Sequence, residues 1–313
     1  MNYFLFFVSS LVLSVVFIFL FKKIGKKYNF CDEAGKDRLK IHQQPIPYLG
    51  GLSIFLTSSI ILLIIEFWNN FFLSQIFGFI LSGGIIIVLG LWDDFKLKKG
   101  RPRPFLKLFS QFFSALIIFL VLTSVGLNFN LELTPFFIFL IFAFYLIGTM
   151  NAINMEDGVD GLAGSLTLIS FIGFIVLSII LGNPLTLTIG LILSGAILGF
   201  LLYNWHPASI FMGDNGSHFL GFSLIVLTII FTGHPFYNFK WFIAPLFIIG
   251  LPLIEVIWAI IRRMAKGKSP FLGDRSHLYD KLNQKGFSIP QTVLICCSIQ
   301  VILVISGILL III

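Results

Sequence analysis

Asp93 and Asp94, Asp157 and Asp160, and Asp214 each lie just beside a long apolar run, in a 313-residue chain where only 11% of residues are charged. Carboxylates at membrane edges add nothing to the stability of so apolar a chain. Acids that converge at one face of a bilayer are a common way to hold a divalent cation over a phosphorylated substrate. The densest group is Asn151-Ala-Ile-Asn154-Met-Glu156-Asp157-Gly158-Val-Asp160-Gly161-Leu-Ala-Gly164. Asp157 and Asp160 are three apart, so a helical turn puts them on one face. Gly158 and Gly161 let the backbone approach a ligand, and the Asn154 amide can donate and accept. The plainer alternative is a polar turn capping the next helix, but one acid would suffice for that.

Gly213-Asp214-Asn215-Gly216-Ser217 opens an apolar run and suits either a cation or phosphate site at a helix start or a capped turn. Asp93-Asp94 follows Gly90-Leu91-Trp92. A helix C-terminus there disfavours each negative charge by roughly 0.3–1 kcal/mol, and a local conflict of that kind points to function. Adjacent helical residues point about 100° apart, so both acids reach one centre only if the helix ends there. Lys107, one turn before Gln111, either approaches a phosphate or snorkels to the interface.

The segment from Lys40 and His42 through Pro45 and Pro47 to Gly50-Gly51 leads into an apolar run; its prolines stop helix before Tyr48 and its glycines allow close packing. Near the C-terminus, Arg262, Arg263, Lys266 and Lys268 precede Gly273-Asp274-Arg275-Ser276-His277-Leu278-Tyr279-Asp280. Arg275 and His277 suit oxyanions, although the basic loop also fits simple headgroup attraction. His206, His218 and His234 read as local structural histidines. Glu255, deep in a span, is a functional candidate by position, with helix packing beside Pro252 the alternative. Cys31, Cys296 and Cys297 match no zinc spacing and suit no structural disulfide.

Elements of two kinds must position these groups: spans and short connectors. With 58% hydrophobic residues and mean hydropathy +1.01, the chain is polytopic. Ten spans are expected, near 3–21, 48–65, 71–91, 105–125, 134–150, 162–181, 185–203, 217–232, 240–261 and 290–313, forming one all-α membrane domain over 1–313. The first reads as an uncleaved anchor, because no basic residue precedes it and Lys22, Lys23, Lys26 and Lys27 follow it. Alternating from an external N-terminus places every Lys and Arg except Lys240 on inside loops or the adjoining helix ends, a strong positive-inside bias. The same alternation places all five aspartates inside, on a cytosolic face that attracts phosphates. The external loops are short, and nothing resembles a nucleic-acid recognition module.

In order and spacing, the Pro-x-x-Gly-Gly entry, the Asp-Asp pair, the Asn-x-x-Asp-Gly-x-Asp-Gly loop, the Gly-Asp-x-Gly-Ser turn and the His loop resemble the polyprenyl-phosphate N-acetylhexosamine-1-phosphate transferases. The resemblance runs from about Lys40 to Leu282. It implies a bundle of ten or eleven helices in the plasma membrane and a Mg2+-dependent reaction, with Mn2+ a substitute. A polyprenyl phosphate attacks the β-phosphorus of a UDP-N-acetylamino sugar and UMP leaves. Asp214 then resembles the main metal ligand, while Asp93 and Asp94 resemble an essential pair that binds metal or deprotonates the lipid phosphate. Asn154, Asp157 and Asp160 resemble the nucleotide and diphosphate face, with Asp157 placed among the catalytic groups. Arg275 and His277 resemble the loop contacting diphosphate and sugar, His277 as a catalytic group. Lys40, His42 and Lys107 are carried as substrate-binding candidates.

The family's branch that uses UDP-MurNAc-pentapeptide carries three consecutive histidines in this last loop, and many GlcNAc-type members carry a further histidine pair. Here the chain reads His277-Leu278-Tyr279-Asp280. That favours a GlcNAc-type or related amino-sugar donor over the peptidoglycan branch, which stays the alternative. The expected partners are the lipid phosphate, the UDP-sugar, the membrane and a second copy in a homodimer, without nucleic acid. A secondary transporter would place its charges at mid-membrane, where only Glu255 is on offer. An aromatic prenyltransferase would need a later acid that Asp93-Asp94-Phe95-Lys96-Leu97 lacks.

Overall fold

The computed structural model describes residues 2–32, 44–69, 71–97, 104–126, 134–232, 240–267, 269 and 276–313. Lys40, His42 and Arg275 fall outside them. The described chain is helical apart from a two-residue ribbon, in which β1 (Cys31–Asp32) pairs antiparallel with β2 (Ile46–Pro47). The helices are α1 (Tyr3–Lys27), α2 (Gly50–Asn69), α3 (Leu73–Leu97), α4 (Pro104–Ser124), α5 (Pro135–Glu156), α6 (Leu162–Leu181), α7 (Pro184–Asn204), α8 (Gly213–Thr232), α9 (Lys240–Ile249), α10 (Leu251–Ala265), α11 (Leu278–Gln284) and α12 (Ile289–Ile312).

Among the described residues nine helices are long and apolar enough to cross a membrane, or ten if the bent pair α9–α10 counts as one span. The chain is therefore a multi-pass membrane protein. Without water to drive helix association, small residues set the close contacts. Along α1 and α7, Ser10 Oγ donates to the Ile192 carbonyl at 2.6 Å and Ser14 Oγ to the Ala196 carbonyl at 2.7 Å. The central helix is α8, nearly all of it buried, with Phe219 and Phe222 packed on Phe79 of α3.

Two departures from the expected spans matter. Three helices run further toward the site than their apolar stretches: α3 continues to Leu97, α5 to Glu156, and α8 begins at Gly213. Several polar residues at these ends, among them Asp94, Asn154 and Asp214, are held by partners on neighbouring helices. The span expected over 240–261 is instead broken at Gly250 (φ +49°), where α9 and α10 meet at 85°. Gln300 of α12 closes the break. Its Oε1 accepts from Leu251 N at 2.9 Å, and its Nε2 donates to the carbonyls of Ile248 (2.7 Å) and Ile249 (3.3 Å) and to Ser170 Oγ (2.9 Å). Backbone groups freed inside a bilayer require such a partner.

Candidate active site

The turn that carries Asp214 is fixed first by backbone. Pro47 O accepts from Phe211 N at 2.7 Å, and Gly50 N and Gly51 N donate to the carbonyls of Phe211 and Met212, both at 2.9 Å. Gly51 lies against Gly216 so closely that a Cβ on it would collide with the Gly216 Cα, and a Cβ on Gly90 would stand 2.7 Å from the Asn215 Cα. The Gly-Gly entry thus seats the start of α8 between α2 and α3.

Asp214 lies in the first turn of α8. Its Oδ2 receives the Lys107 ammonium at 2.9 Å and its Oδ1 the Asn154 amide at 2.9 Å. Lys107 also donates to Asn154 Oδ1 at 3.3 Å, and Asn154 Nδ2 reaches Ser217 Oγ at 2.9 Å. Behind them Asn151 Nδ2 donates to Gln111 Oε1 at 3.3 Å, so two turns of α4 face two turns of α5. This placement turns the Lys107 ammonium toward Asp214 and Asn154. The His218 ring, buried, pairs through Nδ1 with the Asp214 carbonyl, which only accepts, so Nδ1 carries the proton.

Asp94 Oδ2 accepts from Asn215 Nδ2 at 2.9 Å and lies within electrostatic reach of Asp214 and Lys107. Asp93 is buried one position earlier. Because α3 does not end there, the two acids point about 100° apart. The expected ligand group of Asp93, Asp94 and Asp214 is therefore not assembled as a unit. Among the described residues no three acid, histidine or cysteine side chains already form a metal-ligating group.

Asp157 follows the last residue of α5 as its C-cap. Burial first, then the charges of Asp214, Asp94 and Asp160, push its carboxyl well above the usual carboxylate range. Asp157 and Asp160 do not share one helical face. Residues 157–161 form a turn, and Asp160 Oδ2 accepts from His206 Nδ1 at 2.9 Å and from Ala208 N at 3.0 Å. The N-cap of α6 is Gly161, without a side-chain cap, so neither Asp157 nor Asp160 caps that helix. His206 thus orients the Asp160 carboxylate.

His277 caps α11 and is 4% exposed. Its Nδ1 pairs with Glu255 Oε2 at 3.2 Å, and the same oxygen accepts from Leu278 N at 3.1 Å. Glu255 is thus the anchor of the His loop; its intramembrane position was the signal for it. Asn215 and Gln300 were not singled out from sequence. Asn215 stood inside a recognised motif, and Gln300 gave no signal beyond being polar in a span.

The oxygen donors present suit a hard divalent cation, and four mutually repelling acids (Asp94, Asp157, Asp160 and Asp214) gather at one end of the bundle. The residues fit such an ion, with Lys107 holding the balancing charge.

The family model for glycosyl transferase family 4 matches residues 76–232, which carry α3 through α8. A probable undecaprenyl-phosphate N-acetylglucosaminyl 1-phosphate transferase of Bacillus subtilis is 31% identical over 97% of this chain and 84% of its own length. The undecaprenyl-phosphate alpha-N-acetylglucosaminyl 1-phosphate transferase of Salmonella typhi is 28% identical over 91% and 77%. A phospho-N-acetylmuramoyl-pentapeptide-transferase of Clostridium botulinum is 30% identical over 96% and 93%. The fold and site are those of a membrane-embedded transferase. The chain belongs to glycosyl transferase family 4.

Proposed function

We propose that the protein transfers an N-acetylhexosamine 1-phosphate from its UDP derivative to undecaprenyl phosphate, releasing UMP. The observation that carries this reading is the meeting of Asp94, Asn154 and Asp214 around Lys107, with Asp157 within electrostatic reach of both acids, brought together by α3, α4, α5 and α8. The names of the Bacillus and Salmonella relatives supply the sugar and the lipid.

Mg2+ is the proposed cofactor; Asp94 and Asp214 would hold it, with Asp157 nearby, and it would supply neutralisation of diphosphate charge. Lys107 leaves Asp214 for a donor phosphate, keeping the ammonium beside developing negative charge. Asn154 and Asn215 fix the two carboxylates that they hydrogen-bond. An oxygen of the lipid phosphate forms a bond to the β-phosphorus as the bond from that phosphorus to the α–β bridging oxygen breaks, and UMP carries the electron pair away. One phosphoanhydride replaces another, so the protein supplies positioning and charge neutralisation. The acids face the cytosol and the N-terminus lies outside, on the positive-inside bias. Supporting that arrangement, Lys22 Nζ donates to Ser209 Oγ at 2.9 Å, which puts the end of α1 beside the loop leading to Asp214.

The test is UMP release by the purified protein with Mg2+, undecaprenyl phosphate and a donor panel of UDP-GlcNAc, UDP-GalNAc, a 6-deoxy analogue and UDP-MurNAc-pentapeptide. Release with UDP-GlcNAc or another simple amino sugar supports the reading. Release with the pentapeptide donor alone moves the chain to the activity named for the Clostridium relative. No UMP from any donor, with ion-coupled uptake by proteoliposomes, removes the transferase reading.

A further inference from the structure

Tyr279 stands two positions after His277, in the first turn of α11. Its hydroxyl donates to the Met155 carbonyl at 3.2 Å, at the end of the helix that delivers Asn154 and Asp157. A Cβ on Gly158 would lie 2.7 Å from that hydroxyl, so the phenol presses on the turn just after Asp157. Its ring stacks on His277 with centroids 5.4 Å apart and planes 7° apart. Below the ring, Tyr279 packs with Leu162, Leu166, Leu251, Val293 and Cys296, an apolar cluster separate from the main core. Asp280, Glu156, Glu255 and Asp157 all lie within electrostatic reach of the phenol. Burial and those charges push its ionisation up, so it serves as a neutral donor. Glu156 is 1% exposed, and its Oε1 has no hydrogen-bond partner among the described residues.

We propose that Tyr279 is a positioning residue that locks the His277 loop to the Asp157 turn and so sets the two walls of the nucleotide-sugar site at a fixed separation. Among the described residues the lock is tied to α5 by Tyr279 on the Met155 carbonyl and to α10 by His277 and Leu278 on Glu255. The stacked pair of rings carries the register between them. Without the hydroxyl the α11 side stays anchored to α10 but is released from α5. The donor spans both walls and therefore loses affinity, while the lipid phosphate does not. This inference rests on the transferase reading of the site.

The experiment uses full-length protein in detergent micelles, with UDP-GlcNAc and undecaprenyl phosphate as probes and UMP release as readout. Tyr279→Phe keeps the ring and removes only the hydroxyl. It should raise the donor KM about ten-fold, the worth of one hydrogen bond, with kcat and the lipid KM within about three-fold. Gly158→Ala should weaken donor binding to a similar degree. In the Tyr279→Phe background the same alanine should cost less, because the nearest atom it meets, the hydroxyl at 2.7 Å, is gone and only the ring edge at 3.1 Å remains; neighbours in contact are non-additive in this way. The same cycle read by thermal unfolding should show the same coupling. A Tyr279→Phe enzyme with lower melting temperature and lower kcat but unchanged donor KM makes the tyrosine merely structural and overturns the proposal. Additive effects of the two substitutions overturn it as well. A wild type inactive with every UDP-sugar removes the transferase reading and this one together.

Discussion

The two walls of the site are built on opposite principles. On the α3–α4–α5–α8 side, charge is met by charge: Lys107 on Asp214, amides on Asp214 and Asp94, and a carboxyl at Asp157 held against its neighbours. On the α10–α11–α12 side, His277 is stacked and buried, one glutamate anchors the loop, and an apolar cluster lies beneath. The first wall can rearrange, since its ion pairs exchange readily for a cation and a diphosphate. The second has little to exchange. The contrast suggests that charge neutralisation resides on one wall and shape on the other.

The largest test of that division is Asp214→Ala, expected to lower UMP formation by roughly 10³-fold, in the range seen when a principal charge partner is lost in phosphoryl transfer. Activity persisting in that variant under chelation would remove the charged wall from the chemistry. Lys107→Met should cost about 10²-fold in kcat/KM, comparable to deleting one donor from an electrostatic clamp. An effect confined to stability would return Lys107 to a structural role.

Gln300→Leu strips the partners from Leu251 N and Ile248 O, and should destabilise the protein by about 1–3 kcal/mol. Thermal unfolding in detergent is the readout, and an unchanged midpoint would mean that the α9–α10 break does not depend on Gln300. Asp157→Asn should separate stability from activity. Its folded carboxyl titrates above the ordinary value of 3.8, so the folded state binds more protons than the unfolded chain between those two values. The contribution is fully present below 3.8 and is lost as pH rises through the folded value. The asparagine variant should therefore melt higher than wild type at pH 7–8 without metal, match it near pH 4, and lose activity. The reverse pH order would contradict the repulsion described here. The smallest effect belongs to His206→Ala, which frees Asp160 from its orienting partner and should change donor KM by less than about five-fold.

Much of the charged wall was legible because glycine, asparagine and aspartate at fixed spacings stand out from an apolar background. The gathering of Asp94, Asp157 and Asp214 at one end of the bundle followed from span alternation alone. Less legible was how far the helices run. Apolar composition ends before α3 and α5 do and begins only after α8 has started, because tertiary partners such as Asn215 for Asp94 hold polar residues in helical turns that local preference would release. That continuation is why Asp93 and Asp94 start about 100° apart around α3, where the family resemblance implied a pair acting together. The bend at Gly250 was hidden for a similar reason. An unbroken apolar stretch looks like one span, and the residue that makes the break tolerable lies fifty positions away in Gln300.

The contact between Gly51 and Gly216 leaves no gap into which the aspartate-bearing turn could retreat. Two backbones pressed together without intervening side chains behave as one body, so the Asp214 carboxylate keeps its height relative to α2 whatever sugar arrives. Accommodation of a bulkier or differently substituted hexosamine must then come from the opposite wall, and a search for variants with altered donor range should begin there.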